Sequence, residues 1–317
     1  MKWKKLGKIF DPSDYIMANG CKEFAQAPQA LIFEDFIRIF FSTRNISKNK
    51  KSLSHVQFVD MDKNLRTIRN VSKNIVIELG ILGAFDEHGI FPMNVLRYGD
   101  KIYAYTSGWT RRVSVSVDTG IGLAFSEDGM NFKRMGNGPV LTTSLHEPFL
   151  VCDPFVKLYN DVFHMWYIFG TQWKNYSKGS PPDRTYKIAH ATSIDGIVWK
   201  KEGRKIIDDR LNYESQALPT VIKIEGRYHM YFCFRESFDF RKTIGRGYRL
   251  GYAFSDDGKT WNRDDEKSGI SLSMEGWDSE MMCYPHLFQC DDNIYLLYNG
   301  NQFGRYGFGI AQLEELK

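Results

Sequence analysis

No stretch of the 317-residue sequence is apolar for more than a few residues, which excludes a helix that spans a bilayer. The opening Met1-Lys2-Trp3-Lys4-Lys5-Leu6-Gly7-Lys8 is basic, but the roughly 7–15 apolar residues of a secretory signal do not follow it, and the expected location is cytoplasmic. The five cysteines, Cys21, Cys152, Cys233, Cys283 and Cys290, are odd in number and form no C-x-x-C pair. That spacing argues against a disulfide framework and a structural zinc site. A net charge of +4, from 42 Lys+Arg against 38 Asp+Glu, is too weak for a nucleic-acid groove. What the chain has in quantity is aromatics, 15%, together with 27 Gly. This composition suits a β-rich protein, or one that stacks flat ligands.

One unit recurs. A Pro followed by a β-like run, a turn and an aromatic-rich run appears at Pro28, Pro92, Pro154, Pro219 and Pro285, at intervals of 62 to 66 residues. The paired runs are parted by turn formers such as Gly99-Asp100, Asn160-Asp161 and Glu225-Gly226, the signature of an antiparallel hairpin. A second motif keeps the same period: a strand, an S-x-D-G turn, and a strand opening at Phe132, Trp199 or Trp261. The last copy stops after Gly307–Leu313, so the segment around Trp3 to Phe10 is expected to supply its missing outer strand. The expected fold is all-β: a five-bladed β-propeller with four antiparallel strands per blade, its ring closed by the N-terminal segment. Residues 1–317 then form a single domain.

In such a blade the start of the first strand and the end of the second share one face, and the S-x-D-G turns lie on the other. The functional face therefore carries the segments before each Pro, which are rich in carboxylates: Glu23, Asp86, Glu87, Glu147, Asp153, Glu214, Asp278 and Glu280. Brought together at one axis, such acids would crowd, and crowding splits their pKa values as acid/base chemistry requires. Their alternative role is to cap loops or pair with Arg. Arg44, Arg111, Arg112, Arg235 and Arg305 follow the second strands and suit a carboxylate or phosphate. Trp109, Trp173, Trp277 and Tyr284 could stack on sugar rings, or pack between blades. His88, His146 and His286 fall near the same mouth at a spacing that matches no zinc motif.

At Cys152-Asp153-Pro154 with YNDVFHMWY behind it, and at Glu214 in YESQALPTVIKIEGRYHMYF, the chain resembles the five-bladed propeller glycoside hydrolases of the arabinanase, β-xylosidase, levansucrase and invertase group. The resemblance covers essentially every blade. It implies a base or nucleophile, an Asp in a D-P motif that steadies the transition state, and a Glu general acid. Asp153 matches the D-P position, Glu214 is the expected acid, and Asp86 or Glu87 the expected base or nucleophile. The family's first-blade Asp is absent, because Gln26-Ala27 precede Pro28, which moves the array to the second, third and fourth blades.

The expected substrate-binding set is Arg44, Trp109, Arg111, Arg112, His146, Trp173, Arg235, Glu280 and Tyr284. The expected partner is a carbohydrate, with the arginines favouring an anionic or phosphorylated sugar. No cofactor is expected, although the resemblance leaves room for a calcium ion on the axis. Three functions remain open at this stage. The leading one is hydrolysis of a glycosidic bond by a carboxylate triad, in surface-glycan metabolism. The others are glycosyl transfer or phosphorolysis with a phosphate-bearing sugar, and glycan binding without catalysis.

Overall fold

The computed structural model describes residues 1–46 and 51–316. Strand β1 (Lys2–Phe10) comes first. Strands β2 (Gln26–Ile32), β3 (Phe36–Ile46), β4 (Ser52–Asp62) and β5 (Ile68–Val71) make one antiparallel set, and β6 (Gly89–Tyr98), β7 (Lys101–Arg111), β8 (Val117–Ser126) and β9 (Lys133–Arg134) a second. These two sets are joined into one eight-stranded sheet by a single parallel bridge between Ser54 and Gly89. Strands β10 (Phe149–Tyr159), β11 (Val162–Lys174), β12 (Asp183–Ser193) and β13 (Lys200–Lys201) form a separate four-stranded sheet. So do β14 (Glu214–Ile224), β15 (Arg227–Glu236), β16 (Arg249–Ser255) and β17 (Asn262–Arg263). The last sheet is built from β18 (Cys283–Cys290), β19 (Asn293–Asn299), β20 (Phe308–Glu315) and, at its edge, β1.

The N-terminal strand therefore completes the C-terminal sheet, pairing antiparallel with β20 from Lys2 to Phe10. Its Trp3 is buried and donates through Nε1 to the Tyr231 hydroxyl at 2.7 Å in the neighbouring sheet. The first strands of successive sets pack against one another in the order β2, β6, β10, β14, β18 and back to β2. Side chains lock these inner strands: the Ala27 amide donates to Asn299 Oδ1 at 2.8 Å, the Val156 amide to Asn94 Oδ1 at 2.8 Å, and the Leu287 amide to Thr220 Oγ1 at 2.8 Å. Between the sheets lie fully buried aromatics, including Trp166, Tyr105, Tyr231 and Tyr298, each contributing about 1.5–3 kcal/mol or more on the scale of a buried large side chain. Tyr105 also donates its hydroxyl to the Gly196 carbonyl of the next sheet at 2.8 Å.

The S-x-D-G segments are structural turns. In each, the Asp carboxylate accepts two backbone amides, at 2.7 and 2.9 Å for Asp128, 2.8 and 2.8 Å for Asp195, and 2.8 and 2.7 Å for Asp257. The following Gly129, Gly196 and Gly258 take φ of 69°, 74° and 73°, the left-handed region where a Cβ is penalised.

Candidate active site

Each first strand carries the same irregularity. The pairing slips between Gln26 and Gln29, Ile90 and Met93, Cys152 and Phe155, Ala217 and Thr220, and Cys283 and His286. In four of these bulges the residue before the repeat Pro has positive φ: Ala27 52°, Asp153 56°, Leu218 44° and Tyr284 56°. In the other, the Phe91-Pro92 peptide is cis. Left-handed backbone at a non-glycine residue costs about 1–3 kcal/mol and persists where the surroundings hold it. At three of them the second strand of the preceding set does the holding. The Asp153 amide donates to Ser107 Oγ at 2.6 Å, the Ala27 amide to Asn299, and the Tyr284 amide to Cys233 Sγ at 3.5 Å. The bulges thus present Ala27, Phe91, Asp153, Leu218 and Tyr284 at equivalent positions, and Asp153 is the one acid in that series.

A cavity of about 220 Å³ opens beside it. This is small against the roughly 300–1,000 Å³ of ligand clefts in general. Phe91 meets Tyr284 edge to face, with ring centroids 5.3 Å apart, and both line the cavity together with Asp153, Cys152, Trp109, Tyr186 and Tyr248. Four arginines line it as well: Arg44, Arg184, Arg235 and Arg241. Among the described residues none of the four pairs with a carboxylate, and no second carboxylate lines the cavity. Arg44 is turned toward Gln26 Oε1 at 2.8 Å. Arg235 is 2% exposed; it donates to the Tyr186 hydroxyl and the Glu236 carbonyl at 2.7 Å each, lies 3.4 Å over the Phe240 ring, and keeps an unpartnered Nε.

Asp153 is 6% exposed. Burial pushes its carboxyl up to about 7, opposed by the Leu218 amide, which donates to Oδ2 at 3.2 Å, and by the charge of Arg184. A carboxylic acid poised near neutrality can give a proton to a leaving oxygen. The neighbouring Cys152 thiol is raised well above its ordinary value by burial, with the Asp153 charge adding to it, so it is no thiolate nucleophile.

The other expected catalytic carboxylates, Asp86, Glu87 and Glu214, lie elsewhere, and Asp86 and Glu214 share one arrangement with Glu147 and Asp278. Asp86 is bound to Arg134, Glu147 to Lys201 at 2.5 Å, Glu214 to Arg263 at 2.6 Å, and Asp278 to Lys5 at 2.7 Å. In these four sets the acid stands at or just before the start of the first strand, and the cation on the outermost strand. Every cation sits opposite an alanine of the third strand: Ala124, Ala191, Ala253 and Ala311. Glu214 also accepts the Arg210 and Leu211 amides at 3.0 and 3.1 Å and the Gln216 side chain at 2.8 Å. Its lone pairs are therefore committed, and neither Asp86 nor Glu214 lines the cavity. Glu87 accepts the Gly83 amide at 3.1 Å in a loop.

Of the expected substrate-binding residues, Arg44, Trp109, Arg235 and Tyr284 line the cavity, and Arg111, Arg112, His146, Trp173 and Glu280 do not. Arg111 is held over the Trp109 ring at 5.2 Å and bonds the Ser52 carbonyl, while Arg112 pairs with Asp118. His146 and Glu280 are exposed. Trp173 supports Arg184, whose guanidinium carbon lies 5.7 Å from its ring centroid. Arg305 pairs with Glu23, Trp277 stacks on Tyr298, and His286 is buried against Phe155. Arg184, Arg241, Tyr186 and Tyr248 are not among the residues expected from sequence; Arg184 and Tyr186 lie on the third strand β12, and Arg241 and Tyr248 between β15 and β16. Among the described residues no group of three or more His, Cys, Asp or Glu side chains could hold a metal ion.

No family model matches the chain. The "Uncharacterized protein Rv1502" of Mycobacterium tuberculosis (strain ATCC 25618 / H37Rv) is 33% identical over 315 residues, covering 99% of this chain and all of that protein. A "1,2-beta-oligomannan phosphorylase" of Thermoanaerobacter sp. (strain X514) is 27% identical over 203 residues, 62% of this chain and 58% of that one. Among solved structures, a "Glycoside hydrolase" superposes with a TM-score of 0.75 at 14% identity over 98% of this chain and 92% of its own. "Beta-1,2-Mannobiose phosphorylase from Listeria innocua" superposes with a TM-score of 0.67 at 12% identity over 99% and 97%. A thermostable family-43 glycoside hydrolase superposes with a TM-score of 0.65 at 15% identity over 92% and 90%. The fold is the propeller fold of these glycoside hydrolases and phosphorylases.

Proposed function

The chain belongs to the family of the Mycobacterium tuberculosis protein Rv1502, and from its fold and its pocket we propose that it is a carbohydrate-active enzyme that exchanges a glycosidic bond for a glycosyl phosphate bond. The supporting observation is the imbalance of the pocket: one acid, Asp153, facing four arginines. Hydrolysis by the usual route needs a second carboxylate, roughly 5–9.5 Å from the first, as nucleophile or base. Asp86 and Glu214 are both bound to cations outside the cavity. Phosphate needs no such base, because it brings its own anionic oxygen, and guanidinium forks are suited to hold it. The partial likeness to an oligomannan phosphorylase points the same way. The proposal also takes residues 1–317 as one five-bladed propeller closed by β1, supported by the β1–β20 pairing and the cyclic order of the inner strands.

In the mechanism, protonated Asp153 gives its proton to the glycosidic oxygen as the bond from that oxygen to the anomeric carbon breaks. A phosphate oxygen forms the new bond to the same carbon. The sum is glycoside plus hydrogen phosphate giving sugar 1-phosphate plus the free alcohol; the proton that phosphate loses restores Asp153. The arginines offset the charge of the incoming phosphate, and Tyr186 and Tyr248, bonded hydroxyl to hydroxyl, fix the wall on which Arg235 rests. The reverse reaction, transfer from a sugar 1-phosphate to an acceptor hydroxyl, uses the same groups. A screen of β-linked disaccharides, β-1,2-mannobiose included, with and without inorganic phosphate tests the reading. Turnover that appears with phosphate supports it, and equal turnover without phosphate refutes it.

A further inference from the structure

The four arginines are more than a single phosphate requires, and they stand at two levels. Arg235 is buried and Arg184 half-buried, whereas Arg44 and Arg241 are exposed. The inner pair shares one support: the Tyr186 ring lies 5.4 Å from the guanidinium carbon of Arg235 and 6.0 Å from that of Arg184. Of the outer pair, Arg44 lies 5.6 Å from the Phe24 ring, and Arg241 lies 4.8 Å from the Phe303 ring and 4.9 Å from the Phe240 ring that also underlies Arg235. A buried cation without a carboxylate is costly unless a ligand anion completes it, and Arg235 keeps a buried Nε with no partner beside the cavity. Asp153 does not serve as that counter-charge, since it makes no ion pair and lends its oxygen to the Leu218 amide.

Resting on the phosphorolysis reading, we propose that the pocket binds two anionic groups at once: phosphate at Arg44 and Arg241, and a carboxylate or phosphate monoester carried by the sugar itself at Arg235 and Arg184. The assignment follows from access. Phosphate must enter, and sugar 1-phosphate must leave, at the exposed level. The fixed substituent of a sugar seated beside Asp153 reaches the buried level, where Arg235 keeps its unpartnered Nε. The substrate class is therefore an acidic or phosphorylated sugar. The residues expected from sequence to read its charge are replaced in part: Arg235 is kept, while Arg111 and Arg112 give way to Arg184.

Calorimetry on the full chain decides this. Protein saturated with inorganic phosphate is titrated with D-glucuronate, D-glucose, D-mannose 6-phosphate and D-mannose. The expected result is that at least one acidic sugar binds about tenfold or more tighter than its neutral partner, worth about 1.4 kcal/mol, without displacing phosphate. Its carboxylate or phosphoryl form identifies the source of the second anion. Arg184→Gln, a change at a half-buried side chain, should bring the ratio toward one, while Arg241→Gln should weaken phosphate and leave the ratio. Equal affinities for acidic and neutral sugars, or competition between acidic sugar and phosphate, overturn the two-anion assignment while leaving phosphorolysis standing. If phosphate itself neither binds nor supports turnover, the phosphorolysis reading is what fails.

Discussion

Arg263 Nη1 lies 2.6 Å from Glu214 Oε1, with both side chains closed off from solvent. An acid so placed holds the entry of β14 to the outer strand β17 and stabilises the sheet. Removing one partner of a buried pair leaves the other uncompensated, at a cost of about 3–5 kcal/mol. Glu214→Gln is accordingly expected to lose about that much stability in urea denaturation, with kcat of the remaining folded protein changed less than tenfold. A stable variant without turnover would return Glu214 to the catalytic set.

The repeat, the all-β class and the N-terminal strand in the last sheet were legible because each leaves a periodic mark. Pro recurs within each first strand, Asp-Gly in three of the outer turns, and a tryptophan stands at the start of β17 as of β1. The fate of the acids was hidden by a choice of the wrong period. Counting five residues back from each Pro finds Glu23, Glu87, Glu214 and Glu280, which have four different environments. The residues that share a role, Asp86, Glu147, Glu214 and Asp278, stand at unequal distances from Pro because the entering loops differ in length. Their partners do carry a sequence signal: Phe132-Lys133-Arg134, Trp199-Lys200-Lys201, Trp261-Asn262-Arg263 and Trp3-Lys4-Lys5 each place a cation two residues after an aromatic. Arg184, on the third strand β12, and Arg241, in the connection after β15, carry no periodic mark and were not legible.

Asp153→Asn separates chemistry from stability. The carboxyl is raised from 3.8 to about 7 in the fold, so the native state holds a proton that the unfolded chain releases. Stability therefore falls as pH rises from about 4 to about 7, then levels off. Asn keeps the acceptor for the Leu218 amide and does not ionise. The variant should be at least as stable as the parent at pH 8 in thermal denaturation while losing about two or more orders of magnitude in turnover, as expected for loss of a general acid. Near-parental turnover would remove Asp153 from the reaction.

The same carboxyl sets the pH profile. As the proton donor it must be protonated, so kcat/KM for a neutral glycoside should decline above about pH 7, following the value to which burial raises it. A profile that instead rises through pH 7 would assign Asp153 the role of base.

Trp3→Ala tests closure by the N-terminal strand. The indole is buried, edge-on to Tyr231 at 5.6 Å between centroids, and bonded to its hydroxyl. A buried Trp→Ala change costs about 3–5 kcal/mol. The expected outcome is a single cooperative urea transition at lower midpoint. An unchanged midpoint would show that β1 contributes nothing to the ring.

The most direct measurement of the exchange of a glycosidic bond for a glycosyl phosphate bond is the fate of labelled oxygen. With a cleavable disaccharide, inorganic phosphate and ¹⁸O-enriched water, mass spectrometry of the products should show sugar 1-phosphate with no label at the anomeric oxygen. Free reducing sugar bearing ¹⁸O at that position, formed whether or not phosphate is present, would show that water is the nucleophile and contradict the assignment.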